Sequence, residues 1–126
     1  MGTAIIVALD HVQVAAPPGC EAQARAFYGE LLGLEEVPKP PGLAGQGGAW
    51  FAVGAAQLHI GVEPGFSPAR KAHPALRVDP PALQRLAAAL AQAGHPVVWD
   101  EAIAGVRRFF SSDPWGNRLE FVSAAG

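Results

Sequence analysis

Charge is scarce in this chain. Only 16% of its 126 residues are Asp, Glu, Lys or Arg, against roughly 25% in an average domain. The net charge is −2 and no basic run exists, which argues against a nucleic-acid partner. Cysteine is nearly absent. A lone Cys20 cannot close an internal disulfide, so a reducing, cytoplasmic setting is the expectation. Long apolar runs are missing too. The stretch from Ala4 to Leu9 is too short to span a membrane and lacks the basic flank of a signal peptide, so no membrane partner is expected. The length fits one domain, or two small modules sharing a core, and excludes a multidomain enzyme.

What is present is enough apolar material for a core. Leu, Ile, Val and Phe number 32, about a quarter of the chain, above the roughly 20% below which disorder sets in. The 15 glycines and 12 prolines are scattered, marking many turns between short elements. A surface this poor in charge suggests that part of it is covered, by a second subunit in the simplest case.

Two segments carry helical periodicity. From Cys20 to Leu32, the residues Ala24, Phe27, Tyr28, Leu31 and Leu32 fall on one apolar stripe, and Gly33 follows as a stop. From Pro80 to Ala93, Leu83, Leu86 and Leu90 form the stripe, with Asp79 as the predicted N-cap and Gly94 as the stop. Each predicted helix is preceded by one strand-like run and followed by three. The first set is 9–14, 34–38, 49–53 and 57–62, and the second is 73–78, 96–99, 106–111 and 118–123. The pattern is βαβββ written twice, as module 5–63 and module 72–123 of a single 1–126 domain.

Four metal-capable side chains recur at matching places in the two halves. His11 and His73 are 62 positions apart, and His59 and Glu120 are 61 apart. Each lies on the first or the last strand of its module. A polar residue between apolar neighbours in a strand points to the opposite face from them. Three imidazoles and a carboxylate make a donor set suited to a divalent ion such as Zn, Ni, Co, Fe or Mn. An octahedral ion held by four protein donors keeps two positions open, enough for a substrate that chelates through two oxygens. His95, after the helix-stopping Gly94, reads as an exposed loop residue.

With the stretches Leu9-Asp10-His11-Val12-Gln13-Val14, Phe27-Tyr28-Gly29-Glu30-Leu31-Leu32-Gly33-Leu34 and Asp113-Pro114-Trp115-Gly116-Asn117-Arg118-Leu119-Glu120-Phe121, the chain resembles the vicinal oxygen chelate superfamily. Its members include glyoxalase I, bleomycin-resistance proteins, fosfomycin-resistance enzymes, methylmalonyl-CoA epimerase and extradiol dioxygenases. The resemblance implies an α+β fold, the glyoxalase/bleomycin resistance fold, in which two tandem βαβββ modules form a half-barrel sheet around a metal cleft. It implies metal ligands from the first, fifth and eighth strands, where this chain has His11, His73 and Glu120. Glyoxalase I adds a fourth-strand ligand that is usually Glu; the residue here is His59. With one carboxylate in the set, Glu120 is the expected base and His59 the second candidate.

The implied activity is a metal-dependent lyase or isomerase of the glyoxalase type, on a small substrate with vicinal oxygens. Two alternatives stand beside it: an Fe(II) dioxygenase of the extradiol type, using His11, His73 and Glu120, and a non-enzymatic antibiotic-binding resistance protein. A homodimer is expected, with each cleft within one chain or shared across two. Trp50, Phe51 and Trp99 are candidate walls of an apolar pocket. One of the adjacent Arg107 and Arg108 must face inward, where it could hold a substrate anion. The linker Glu63 to Ala72 could cover the cleft. Cys20, at a helix start, is placed where a thiolate would be favoured.

Overall fold

The computed structural model describes residues 2–124; Met1 and residues 125–126, part of the expected 1–126 domain, lie outside the described residues. The elements run β1 (His11–Ala16), α1 (Glu21–Ala24, continuing as π-helical turns over Arg25–Leu31), β2 (Glu35–Val37), a 3₁₀ segment (Pro41–Gln46), β3 (Ala49–Val53), β4 (Ala56–Val62), β5 (Ala75–Arg77), α2 (Pro80–Gln92), β6 (Val98–Asp100), β7 (Val106–Ser112) and β8 (Arg118–Ala124). They form two four-stranded mixed sheets of identical order, β1-β4-β3-β2 and β5-β8-β7-β6. In each, the first and last strands pair in parallel and the others antiparallel. This is the α+β, tandem βαβββ arrangement of the glyoxalase fold.

Strand alternation decides which side chains enter the core. On β4, Leu58 and Ile60 are buried among the core residues, leaving Gln57 and His59 on the opposite face. On β8, Leu119 and Phe121 enter the same core and Glu120 turns away. That core is a single cluster joining both sheets with Phe27 and Tyr28 of the first helical segment and Leu83, Ala87 and Leu90 of α2. The first helix departs from expectation by widening. Leu32 N donates to Phe27 O at 2.9 Å, five residues back. Two adjacent aromatic residues, Phe27 and Tyr28, are thereby both buried. Asp79 occupies the N-cap position of α2 but makes no side-chain capping bond; Pro80 and Pro81, next in the chain, offer no N–H to cap, and the first turn instead begins with Ala82 N bonded to Asp79 O.

The turn after β7 joins the two modules. Asp113 is buried, and its Oδ2 accepts from Tyr28 Oη at 2.8 Å and Asn117 Nδ2 at 2.9 Å. Its Oδ1 accepts from the backbone N–H groups of Trp115 and Asn117. Asn117 also donates through Nδ2 to Ala15 O on β1 and accepts at Oδ1 from Ala69 N in the linker. Four donors on one carboxylate offset the cost of burying its charge. Gly48, at the start of β3, is a second fixed point. Its φ is +80°, and a Cβ there would stand 2.0 Å from Ile60 O, so no other residue fits without moving the β3–β4 pair.

Burial pushes the Tyr28 phenol well above its usual 10, and the Asp113 charge adds to the shift. The phenol therefore stays a donor at any ordinary pH. Tyr28→Phe should lower the unfolding free energy by about 1.5–3 kcal/mol, the range for a hydrogen bond to a charged group, read from urea unfolding. The difference should shrink as pH rises past about 10, because the unfolded chain releases a proton there that the folded chain retains. Equal midpoints for the two proteins at pH 7 would dissociate this bond from stability.

Candidate functional site

The four donors gather into two pairs, though His73 lies two residues ahead of β5 and not on the strand predicted over 73–78. On the first sheet, His11 of β1 and His59 of β4 stack with ring centroids 4.2 Å apart. Trp50, the cross-strand partner of His59, lies parallel to it at 3.8 Å with an interplanar angle of 1°. His59 Nε2 bonds Gln57 Oε1 at 2.8 Å, and His11 Nδ1 bonds Asp10 Oδ2 at 2.8 Å. His59 is buried while His11 is exposed. Burial holds the His59 imidazole below its usual 6.5; the neighbouring His11 pushes it further down and Asp10 opposes.

At the second sheet, His73 Nε2, from the segment leading into β5, meets Glu120 Oε1 at 3.0 Å, while His73 Nδ1 bonds Lys71 O at 2.8 Å. The second Glu120 oxygen faces Arg108 Nη1 at 3.4 Å. Arg108 also grips Asp100 Oδ1 through Nε and Nη2. Of the adjacent arginines, Arg108 is therefore the one on the Glu120 face. Arg107 is exposed, lies 5.0 Å over Trp99 and bonds Gln84. Phe110, cross-strand partner of Glu120, sits among His73, Arg108 and Arg118.

The donor types suit a divalent ion, and each pair brings its two side chains into contact. The pairs do not merge: among the described residues, no group of three or more His, Cys, Asp or Glu side chains could hold a metal ion. A cleft of about 430 Å³ runs between β1 and the linker, lined by Gln13, Ala15, Ser67, Ala69, His73 and Asn117. The linker does therefore wall a cavity, beside His73.

Several expected positions look different in three dimensions. Phe51 is fully buried in the core and lines no cleft; Trp50 alone of the three aromatic candidates lies on the histidine face, and Trp99 packs on Phe109. His95 is half-buried, with its ring 4.7 Å from Phe27 and Nδ1 on Ser112 O at 2.9 Å. Cys20 is buried, and burial followed by the Glu21 charge raises its thiol, so the helix start does not yield a thiolate. Residues missed from the sequence are Gln57, Asp10, Asp100, Phe110 and Arg118. Gln57 was discoverable, because it sits two residues from His59 and so on the same strand face.

No family model and no curated protein matches the sequence. Solved structures do. A Bacillus anthracis protein assigned to the glyoxalase family is 49% identical, with a TM-score of 0.91 over 98% of this chain and 99% of that one. A lactoylglutathione lyase from Agrobacterium tumefaciens, 19% identical, shares the fold at a TM-score of 0.74 over 95% and 96%. The fosfomycin resistance protein FosX from Listeria monocytogenes, a variant complexed with Mn(II) and a dihydroxypropylphosphonic acid, shares it at 0.78 with 13% identity over 95% and 94%.

The stacked pair makes a direct prediction. In metal-free protein, His11→Ala removes both a covering ring and a repelling neighbour, so the His59 pKa should rise toward 6.5 in an NMR titration. Below 6.5 the unfolded state takes up a proton that the folded His59 resists, so this residue's contribution to stability is lost as pH falls through its depressed value. An unmoved His59 titration in the variant would exclude His11 as a cause.

Proposed function

Because the chain belongs to the glyoxalase family of the vicinal oxygen chelate superfamily, we propose that it is a metal-dependent lyase or isomerase of the glyoxalase type, acting on a small substrate that presents two adjacent oxygens. The observation that carries this reading is the pairing of donors at matching places in two like sheets, His11 of β1 with His59 of β4, and His73, two residues ahead of β5, with Glu120 of β8. A bound divalent ion (Zn, Ni, Co, Fe or Mn) supplies Lewis-acid stabilisation of oxyanion charge.

The chain's own residues divide the remaining work. Glu120 takes the carbon-bound proton, since it is the carboxylate of the set and Arg108 orients its Oε2. His59 is the second candidate base, ranked behind because its ring lies between Trp50 and His11 and Gln57 occupies its Nε2.

A homodimer completes the site in this reading. Each chain offers two half-sets, and the His11/His59 pair of one protomer would face His73 and Glu120 of the partner subunit. Ile5, Ile6, Val7 and Leu9 stand exposed just ahead of β1 and give an apolar surface for a second copy to cover. Apart from this, among the described residues no helix is long and apolar enough to cross a membrane.

The shared site is tested by complementation. His11→Ala and Glu120→Ala should each lose most bound metal, measured on untagged protein. Co-refolded together, the mixed dimers should regain one intact site of two, because the unaltered His11 of one chain meets the unaltered Glu120 of the other. No recovery would place each site within one chain, and full metal content in both single variants would remove the site. Chemistry is tested separately. Wild type loaded with metal should exchange the α-proton of a 2-hydroxy acid into D2O, and Glu120→Gln should slow this by about 100- to 10,000-fold, the range for a general base. Equal exchange would move the base to His59, and no exchange by wild type with any chelating acid would overturn the lyase or isomerase reading.

A further inference from the structure

The face of the second sheet that carries Glu120 holds more positive charge than its own carboxylates use. Strand register puts Arg77, Arg108, Arg118 and Asp100 on that face with Glu120. Both carboxylates are bonded by Arg108 alone among the arginines. Arg77 is exposed on β5. Arg118 is the distinctive one. It is half-buried, with its guanidinium carbon 4.0 Å from the centre of the Phe110 ring. Among the described residues its side chain makes no hydrogen bond or salt bridge, although its charge is felt by Asp100; its backbone N–H donates to Ala69 O. A guanidinium laid on a ring is fixed in orientation by the cation–π contact and keeps its N–H edge free. That edge matches the two oxygens of a carboxylate or phosphonate.

The geometry points to Arg118 as an oxyanion-binding residue that fixes the anionic end of the substrate beside Glu120. Arg118 and Glu120 share one strand face, with the guanidinium over Phe110, the cross-strand partner of Glu120, so the substrate class is a small acid whose carboxylate or phosphonate is a separate group from the carbon that loses its proton. Arg108 is a positioning residue in this arrangement, because its nitrogens are committed to Asp100 and Glu120. The substrate class rests on the lyase or isomerase reading, but the anion site does not, and the two can fail separately.

The site is tested in metal-free protein by NMR titration with acetate and with methylphosphonate. Wild type should bind at least one of them saturably, and the tighter of the two names the group. Arg118→Gln should weaken that binding by roughly 10- to 100-fold, as expected for a lost charge-assisted pair. Arg118→Lys keeps the charge without the fork and should fall between, which guards against a folding defect in the glutamine variant. Arg107→Gln, on the opposite face, should match wild type. Saturable binding by Arg118→Gln within twofold of wild type overturns the assignment, as does no saturable binding of either anion by wild type. Retained binding with no proton exchange in the loaded protein would overturn the lyase or isomerase reading and leave the anion site standing.

Discussion

The buried carboxylate of Asp113 is the constraint on which the two modules depend. It holds the phenol of Tyr28 from the first module and the backbone of its own turn from the second. Asn117 extends the hub to β1 and to the linker. A charge at this depth is tolerated only while its donors are in place, so the turn, the first helical segment and β1 must assemble together. The consequences reach the candidate site. Ala15, whose carbonyl Asn117 holds, follows His11 by four residues on the same strand, and Asn117 precedes Glu120 by three. One member of each donor pair is thus suspended close to the same hub. The Asp-Pro-Trp-Gly-Asn run, which on the sequence marks only a turn and a family likeness, is physically the joint between the modules.

Much of the fold was legible because the two periodicities are clean. β3 has the bounds that alternation predicts, β4, β7, β8 and α2 differ by a residue at an end, and β1 begins and ends two residues later than the predicted 9–14. The misfits have local causes. β2, β5 and β6 are only three residues long, too short for a period of two to mark their ends. The Pro41–Gln46 turn is 3₁₀, with Pro and two glycines that read simply as loop. The widening of the first helix depends on Phe27 and Tyr28 both finding places in a core shared with the other module, and no local pattern encodes that.

The candidate site was legible as a set of positions and not as a set of contacts. Repeat spacing singled out His11, His59, His73 and Glu120, and strand alternation put His11, His59 and Glu120 on the faces turned away from the core; His73 lies ahead of β5, where alternation does not apply. Spacing says nothing about which donor meets which. The stacking of Trp50 on His59, and the bond from Arg108 to Glu120, follow from cross-strand register, which becomes visible only when the strands are paired. His95 was misjudged for a related reason: a histidine after a helix stop has no local signal that Phe27, 68 positions earlier, will cover its ring.

The two half-sets differ in kind, and that difference supports the proposed division of work. The first is aromatic: three stacked rings, with a buried imidazole held toward its neutral form. A neutral imidazole is a donor to metal but gains little by accepting a proton in a place that disfavours the charged ring. The second is ionic: a carboxylate between an imidazole and a guanidinium, beside a further arginine on the same face. In the proposed reaction negative charge develops on the substrate beside these cations, which supports placing the proposed base and the anionic end of the substrate at the second sheet. In that proposal the first sheet contributes stacked rings that orient its donors. The gene-duplicated look of the two halves therefore hides a chemical asymmetry, set at the fourth strand of each module: His59 with aromatic neighbours in one, Glu120 with basic neighbours in the other.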